Sequence, residues 1–459
     1  MSDGSRPPRR AGGAGHGARN ARHRAVITGL GLVTPIGIGH VEFWDGIRAG
    51  RRGVREVTRF DASGFRTRIA GEVGRFDPAD YVESRRPSRL DRFAQFSLAA
   101  TRLALDDAGL AIRNGAHTNG HDAGNGANGR VTTRSTGRRA SVPAERVGVA
   151  VGSALGGISG AEEDHAAFLR EGIRAVSPSL ALRVFVGAGA CNIAIHFGAR
   201  GPTIGNSNSC ASGAIAIGEG LQLIREGKAD VVIAGGVETP LAPLTFGAFT
   251  LIHAMSTQND LPAEASRPFD ASRDGFVMAE AAAILILERL DHAIARDARI
   301  YAEISGFATT NDAYHMTAPH PEGRDAVRAM QLALEDAGLI PAEIEHVNAH
   351  GSSTLLNDRI ETLAIKAVLG DRARRVPVSG TKGMHAHALG ASGAIEAAIA
   401  ALSIAESYVP STANLTNPDP ECDLDYVPGR GRATTVRTVL SNSFGFGGSN
   451  ACLVLQTAE

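Results

Sequence analysis

The stretch Leu103-Ala104-Leu105-Asp106-Asp107-Ala108-Gly109-Leu110 recurs, with one change, as Leu332-Ala333-Leu334-Glu335-Asp336-Ala337-Gly338-Leu339. A second pair follows each copy in the same order: Ala211-Ser212-Gly213-Ala214-Ile215 and Ala391-Ser392-Gly393-Ala394-Ile395. Short matches arise by chance in an Ala-rich chain, but a shared order argues for internal duplication. Outward from these anchors, apolar β-branched runs at 24–31, 146–152, 230–235 and 281–287 alternate with helical patterns at 95–110, 211–226, 324–339 and 393–406. Strand–helix alternation of this kind predicts an α/β architecture with largely parallel, covered sheets. Two similar halves, 24–298 and 299–459, would turn their loops toward one shared site.

Composition narrows the function classes. The 459 residues are 43% hydrophobic and 21% charged, with a formal net charge of −1, so neither nucleic acid nor an anionic membrane is indicated as a partner. No apolar run reaches bilayer-spanning length. Cys191, Cys210, Cys422 and Cys452 show no CxxC spacing, which argues against a zinc site or a disulfide framework and fits a reducing, cytoplasmic setting. Residues 1–23 are rich in Arg and Gly without an apolar h-region, and read as a disordered basic tail rather than a signal peptide. The low-complexity stretch 114–140 buries too little apolar surface to offset its ordering entropy, and reads as a surface insertion.

Three segments carry candidate chemistry. Cys210 follows a strand-like run, 202–209, and directly precedes the first Ala-Ser-Gly-Ala-Ile helix. At a helix start, unpaired N–H groups and the macrodipole favour a thiolate and could hold an oxyanion. A nucleophile and a buried structural cysteine account for the position equally well on these grounds. His350 ends the strand-like run 344–349 ahead of Gly351-Ser352-Ser353-Thr354, where α/β sheets place ligand contacts. His387 lies just before the second Ala-Ser-Gly-Ala-Ile helix, in the loop that echoes the one carrying Cys210, and that placement favours function over an exposed loop histidine. Asn442-Ser443-Phe444-Gly445-Phe446-Gly447-Gly448-Ser449-Asn450 lacks the GxGxxG and GxxxxGK[ST] spacings, so it reads as an active-site wall or gate rather than a phosphate cradle.

Together these segments resemble the β-ketoacyl-acyl carrier protein synthases, most closely the KAS II-like branch of the thiolase-fold condensing enzymes. The resemblance runs from Arg24 to Leu455. It includes Val26-Ile27-Thr28-Gly29-Leu30-Gly31, Ser266-Arg267-Pro268-Phe269-Asp270, Arg273-Asp274-Gly275-Phe276-Val277 and Leu356-Asn357-Asp358. It implies a duplicated five-layered α/β/α/β/α fold. It further implies Cys210 as acyl-accepting nucleophile, His350 and His387 as the paired histidines, and Lys382 with Glu396 as the supporting pair. Phe446 would be the gate, its N–H joining that of Cys210 in an oxyanion hole, and Ser352 and Thr354 would contact the phosphopantetheine arm. Arg85, Arg86 and Arg89 align with the basic docking element for acyl carrier protein. The implied reaction is decarboxylative Claisen condensation with malonyl-acyl carrier protein. It needs no metal and no cofactor beyond carrier-bound phosphopantetheine, and the enzyme would be a homodimer or a heterodimer with a ketosynthase-like partner.

The chain departs from the family pattern at Asn208-Ser209 (usually Thr-Ala), His385-Ala386 (Thr-Gly), Ser352 (Thr) and Ala279-Glu280-Ala281 (Gly-Glu-Gly). These departures bear on substrate choice and suggest a polyketide or polyene pathway rather than housekeeping fatty-acid synthesis. His385 resembles a pocket-wall position. Cys422 and Cys452 lie in no thiolase-like motif, and two histidines argue against a starter enzyme with Cys-His-Asn. The non-enzymatic alternative is a chain-length-factor-like partner, which shares the fold but lacks the nucleophile.

Overall fold

The computed structural model describes residues 23–82, 90–113 and 139–458. The tail up to residue 22, residues 114–138 of the low-complexity stretch, and Arg85, Arg86 and Arg89 lie outside the described residues. The first half is built from β1 (Ala25–Thr34), α1 (Arg92–Ala108), β2 (Val147–Gly152), α2 (Ala188–Phe197), β3 (Thr203–Asn206), α3 (Ser212–Arg225), β4 (Val231–Glu238) and β5 (Ala281–Arg289). The second half repeats that order: β6 (Ala302–Asn311), α4 (Arg324–Ala337), β7 (His346–Asn348), α5 (Leu355–Leu369), β8 (Val378–Ser379), α6 (Ser392–Ala405), β9 (Thr438–Gly445) and β10 (Ser449–Gln456).

Strand order is β3-β2-β4-β5-β1 in one sheet and β8-β7-β9-β10-β6 in the other. In each, the strand before last, β5 or β10, runs antiparallel to both neighbours and the inner strands are parallel. The sheets join where β1 pairs antiparallel with β6, from Ala25↔Ile304 to Ile27↔Ala302. Helices α3 and α6 pack on each other and lie between the sheets, α1 and α2 cover the outer face of the first, and α4 and α5 that of the second. This is the duplicated five-layered α/β/α/β/α fold. Every residue of α6 from Ser392 to Ile404 is buried, as a helix between two sheets requires. Each fully buried Ile or Leu there contributes about 1.5–3 kcal/mol relative to exposure.

The repeated Asp-Ala-Gly-Leu now has a physical cause. β1 bulges between Ile27 and Gly29 against β5, and β6 bulges between Ile304 and Gly306 against β10. A bulge leaves backbone groups without ladder partners. Asp107 Oδ2 accepts from the Leu30 N–H at 2.8 Å, and Asp336 Oδ2 accepts from the Phe307 N–H at 3.0 Å. Gly29 lies against the Ala104 carbonyl and Gly306 against that of Ala333, so close that a Cβ on either glycine would overlap it. Each helix then ends on a left-handed glycine, Gly109 or Gly338.

The sequence reading missed β6, β8, β9 and β10. β6 is half-exposed toward its end, β8 is two residues long, and β9 carries Ser441, Asn442 and Ser443 in its interior, so these three lack the apolar run that marks a buried strand; β10 has one, Ala451–Leu455, which the reading passed over.

Candidate active site

Cys210 sits in a single 3₁₀ turn, Ser209–Ala211, that feeds into α3. The turn is fixed from within: Ser212 Oγ accepts from the Asn208 N–H at 2.8 Å and donates to the Ser209 carbonyl at 2.7 Å. Ser209 has φ 54°, a region that side-chain-bearing residues seldom occupy, and such strain clusters at functional sites. The end of β9 closes on the turn from the other half. A Cβ on Gly445 would lie 3.0 Å from the Cys210 nitrogen, so the glycine lets the two backbones meet.

The expected thiolate requires correction. Cys210 is only 7% exposed, and burial pushes its thiol up to about 11. The Ser209 hydroxyl, the Lys382 charge and the Phe446 backbone N–H oppose that rise, while Glu238 adds to it. Desolvation outweighs the helix start, so the resting group is a thiol. Of the other cysteines, Cys191 is exposed and Cys422 and Cys452 are buried.

His350 follows β7, and His387 follows a short helix, Lys382–His385. Their rings meet edge to face, centroids 5.3 Å apart at 80°. Burial first, then the Lys382 charge, holds both well below the ordinary histidine range, so both are neutral. Lys382, fully buried, forms an ion pair with Glu396. Its Nζ also donates to the His350 carbonyl at 2.5 Å and stands 3.5 Å from His350 Nδ1. An ammonium only donates, so Nδ1 is the acceptor and Nε2 carries the ring proton. His387 Nδ1 is hydrogen-bonded to Ser392 Oγ at 2.9 Å. Burial pushes Glu396 up to about 7 against the pull of Lys382.

Cys210, His350, His387, Ser352, Thr354, Phe444 and Phe446 all line one cavity of about 360 Å³. Ser352 and Thr354 hydroxyls lie 2.9 Å apart. Cys210 belongs to one buried apolar cluster with Leu241, Phe246, Met255, Phe276, Met278 and Leu389, flanked by Phe60, Phe65 and Phe446, and of these Phe276, Leu389 and Phe446 line the cavity with it. The structure thus brings the expected nucleophile, histidines, hydroxyls and gate together, with the Lys382–Glu396 pair directly behind His350. His385 is not among the lining residues. It is fully buried, its Nε2 3.1 Å from Thr381 Oγ1 and its Nδ1 unpartnered, which corrects its reading as a pocket wall. Among the described residues no group of three or more His, Cys, Asp or Glu side chains is placed to hold a metal ion.

Sequence reasoning missed the groups that hold this site. Glu361, in the second turn of α5, accepts the His350 and Gly351 N–H groups at 2.8 Å each and is held by Asn442 Nδ2. Asp358, one turn earlier, accepts from the Phe269 N–H, and Arg273 donates to the Thr354 and Leu355 carbonyls. The Ser266–Asp270 and Arg273–Val277 motifs are therefore clamps on the loop after His350. Two carboxylates at i, i+3 on the inner face of a helix were the available signal. Glu238, at the end of β4, accepts from Ser153, Ala154, Leu155 and Gly390, and burial pushes it up to about 7.

Known proteins agree with this geometry. Models of the beta-ketoacyl synthase N-terminal and C-terminal domains match residues 22–293 and 301–416. The 3-oxoacyl-[acyl-carrier-protein] synthase 2 of Synechocystis sp. is 43% identical over 435 residues, 95% of this chain and 98% of that one. Its namesake from Coxiella burnetii is 42% identical over 434 residues, with the same coverage of 95% and 98%. Among solved structures, a beta-ketoacyl synthase from Burkholderia phymatum is 35% identical with a TM-score of 0.82, covering 95% of this chain and 100% of that one. A chain from a type II PKS acyl-carrier protein in complex with its ketosynthase bound to the hexaketide is 34% identical, with a TM-score of 0.83 and coverage of 95% and 100%. Matches that span both halves, joined to a cavity holding one cysteine and two neutral histidines, leave one conclusion: the chain belongs to the β-ketoacyl synthase family.

Proposed function

We propose that this enzyme joins an acyl group on Cys210 to malonyl-acyl carrier protein by decarboxylative Claisen condensation, giving β-ketoacyl-acyl carrier protein. The observation that carries this reading is the pairing of two neutral histidines with a buried cysteine in one cavity. In the first step Cys210 Sγ attacks the acyl thioester carbon. The oxyanion is held by the N–H groups of Cys210 and Phe446, and the carrier thiol leaves with the cysteine proton. In the second step the malonyl C–C bond breaks and CO₂ departs. The electron pair stays as an enolate whose oxygen accepts from Nε2–H of His350 and of His387, with Ser392 donating to His387 Nδ1. Only neutral rings donate there without a full positive charge to be lost. The enolate carbon then attacks the acyl-cysteine, and Cys210 leaves as a thiolate that regains a proton. The water-poor, Phe-lined cavity holds both thioesters in reach of each other. No metal or redox cofactor is assigned a step; Ser352 and Thr354 would hydrogen-bond the phosphopantetheine arm.

The halves divide near residue 298, and each supplies part of the site. The partner of the reaction is acyl carrier protein, docking at Arg85, Arg86 and Arg89. A second subunit, another copy or a ketosynthase-like partner, would cover the exposed Leu169, Leu182, Phe185 and Ile195, the last on α2, which packs beside the edge strand β3. No helix among the described residues is long and apolar enough to cross a membrane, and we place the enzyme in the cytoplasm. Ser352 lines the cavity and Ser209 touches the thiol, which supports a specialised acyl substrate from a polyketide or polyene pathway. The non-catalytic partner reading gains nothing from a seated nucleophile. The test is incubation with acyl- and malonyl-carriers of several chain lengths, with mass spectrometry. An acyl adduct on Cys210 and a β-ketoacyl product support the proposal. Condensation without an adduct at Cys210, or no condensation with any carrier, overturns it.

A further inference from the structure

Ser209 stands where the family resemblance leads one to expect alanine, so its hydroxyl is a group this chain adds to the site. Its Oγ lies 3.9 Å from Cys210 Sγ, and among the described residues the thiol is its one side-chain hydrogen-bond partner. Its direction is set by the backbone rather than by chance. The φ of 54° fixes the Cβ, the Ser209 carbonyl is held by Ser212 Oγ, and Gly445 packs against the Ser209 Cβ, with 3.3 Å to the Cβ that Gly445 lacks. We propose that the Ser209 hydroxyl is an auxiliary hydrogen-bond donor to Cys210 Sγ, favouring the thiolate that attacks the acyl thioester and receiving it again when the condensed product leaves.

The site needs such a donor. Burial drives the thiol to about 11, and Ser209 is the largest of the influences that oppose it, ahead of the Lys382 charge and the Phe446 N–H. Across the cavity, His350 and His387 are neutral and add no positive charge, and Glu238 disfavours the thiolate. A hydroxyl donates to a thiolate more strongly than to a thiol, so the contact lowers the cost of the charged form selectively.

This inference rests on Cys210 being the nucleophile, and the experiment separates the two. Ser209→Ala and Ser209→Gly are compared with the unaltered enzyme by iodoacetamide labelling, read at the Cys210 peptide by mass spectrometry between pH 7 and 9. Losing one hydrogen bond shifts the thiol by about half to one unit upward. After allowing for the greater nucleophilicity of a more basic thiolate, labelling at fixed pH slows about two- to fourfold. Acyl transfer from the carrier should slow by a similar factor in both variants, with KM for the acyl thioester unchanged. Glycine adopts φ 54° without strain whereas alanine does not, so equal slowing in both identifies the hydroxyl as the cause. Slowing in Ser209→Ala alone, or in neither, overturns the inference. If the unaltered enzyme takes no acyl group at Cys210, the functional proposal itself falls first.

Discussion

Replacing Lys382 with methionine removes a buried ammonium while keeping most of its volume, and it separates two roles that the lysine combines. The Lys382–Glu396 pair is fully buried on both sides. Breaking such a pair from one side costs about 3–5 kcal/mol when the remaining charge stays. Glu396 can escape by protonating, since burial already pushes it up to about 7 and losing Lys382 removes its main counterweight. Its folded pKa then lies above the unfolded carboxylate value, about 4.3. The unaltered enzyme shares that rise up to about 7, so the extra destabilisation of the variant is absent below about 7 and grows as pH rises toward the variant's still higher value. The drop in Tm relative to the unaltered enzyme should be larger at pH 9 than at pH 6. At pH 6 it should approach the cost of one lost buried donor at the His350 carbonyl, about 1–3 kcal/mol. Activity should fall at both pH values by about 10²–10³-fold, because His350 Nδ1 loses the ammonium that leaves its proton on Nε2. The double variant Lys382→Met/Glu396→Leu removes both charges, along with the unpartnered Glu396 Oε2. It should regain stability to within about 2 kcal/mol and remain impaired. The assays are thermal unfolding at the two pH values and condensation rates with carrier-bound substrates. A double variant that recovers activity together with stability would show that the pair only fills and braces the core.

His350→Ala and His387→Ala should each cost about 10²–10³ in decarboxylation rate, measured as CO₂ release. His385→Thr removes an unpartnered buried nitrogen away from the cavity and should cost less than about threefold; a loss equal to that of His387→Ala would refute this placement. Glu361, pushed up to about 7 by burial, must be a carboxylate to accept both the His350 and Gly351 N–H groups, so kcat should fall as pH drops through about 7. Glu361→Gln should lose about 10–100-fold and flatten that acid limb; a limb unchanged in the variant would assign it elsewhere. Charge reversal at Arg85, Arg86 and Arg89 should weaken turnover of carrier-bound substrates in a salt-dependent way and leave small pantetheine thioesters nearly untouched; equal loss on both would refute docking there.

What could be read from the sequence followed from how local the physical requirement was. The Asp-Ala-Gly-Leu echo was visible because one helix end must cap, pack and accept a strand N–H in the same way twice. Its reason was not, because Asp107 serves Leu30 and Asp336 serves Phe307 across the fold. The cysteine and the histidines stood out through their neighbours, small residues around Cys210 and hydroxyls after His350. The protonation state of Cys210 did not, since burial decides it first, and of the groups that modify it only Ser209 is a chain neighbour, while Lys382, Phe446 and Glu238 are brought to it by the fold. Glu361 escaped because its i, i+3 pairing with Asp358 marks two inward carboxylates without saying that one of them receives the His350 and Gly351 N–H groups from the preceding loop.

The duplication also explains why there is one nucleophile and not two. The turns Ser209–Ala211 and Leu389–Ala391 occupy equivalent places before α3 and α6, and both open on a residue with positive φ, 54° at Ser209 and 38° at Leu389. Cys210 therefore has Gly390 as its twin. The ends of the strands that face these turns are exchanged in the opposite sense, Glu238 closing β4 and Gly445 closing β9. Glu238 reaches Gly390 and accepts its N–H at 3.0 Å, and a Cβ on Gly390 would lie 2.6 Å from that carboxylate, so no side chain can stand there. On the other side Gly445 presents no side chain to Cys210, which leaves the thiol open to the cavity and beside the N–H of Phe446. A carboxylate facing a glycine in one place and a glycine facing a cysteine in the other is how a near-symmetric fold keeps a single site. On the proposed mechanism the first half then supplies the acyl-accepting sulfur, and the second half supplies the two histidines and the lysine behind them.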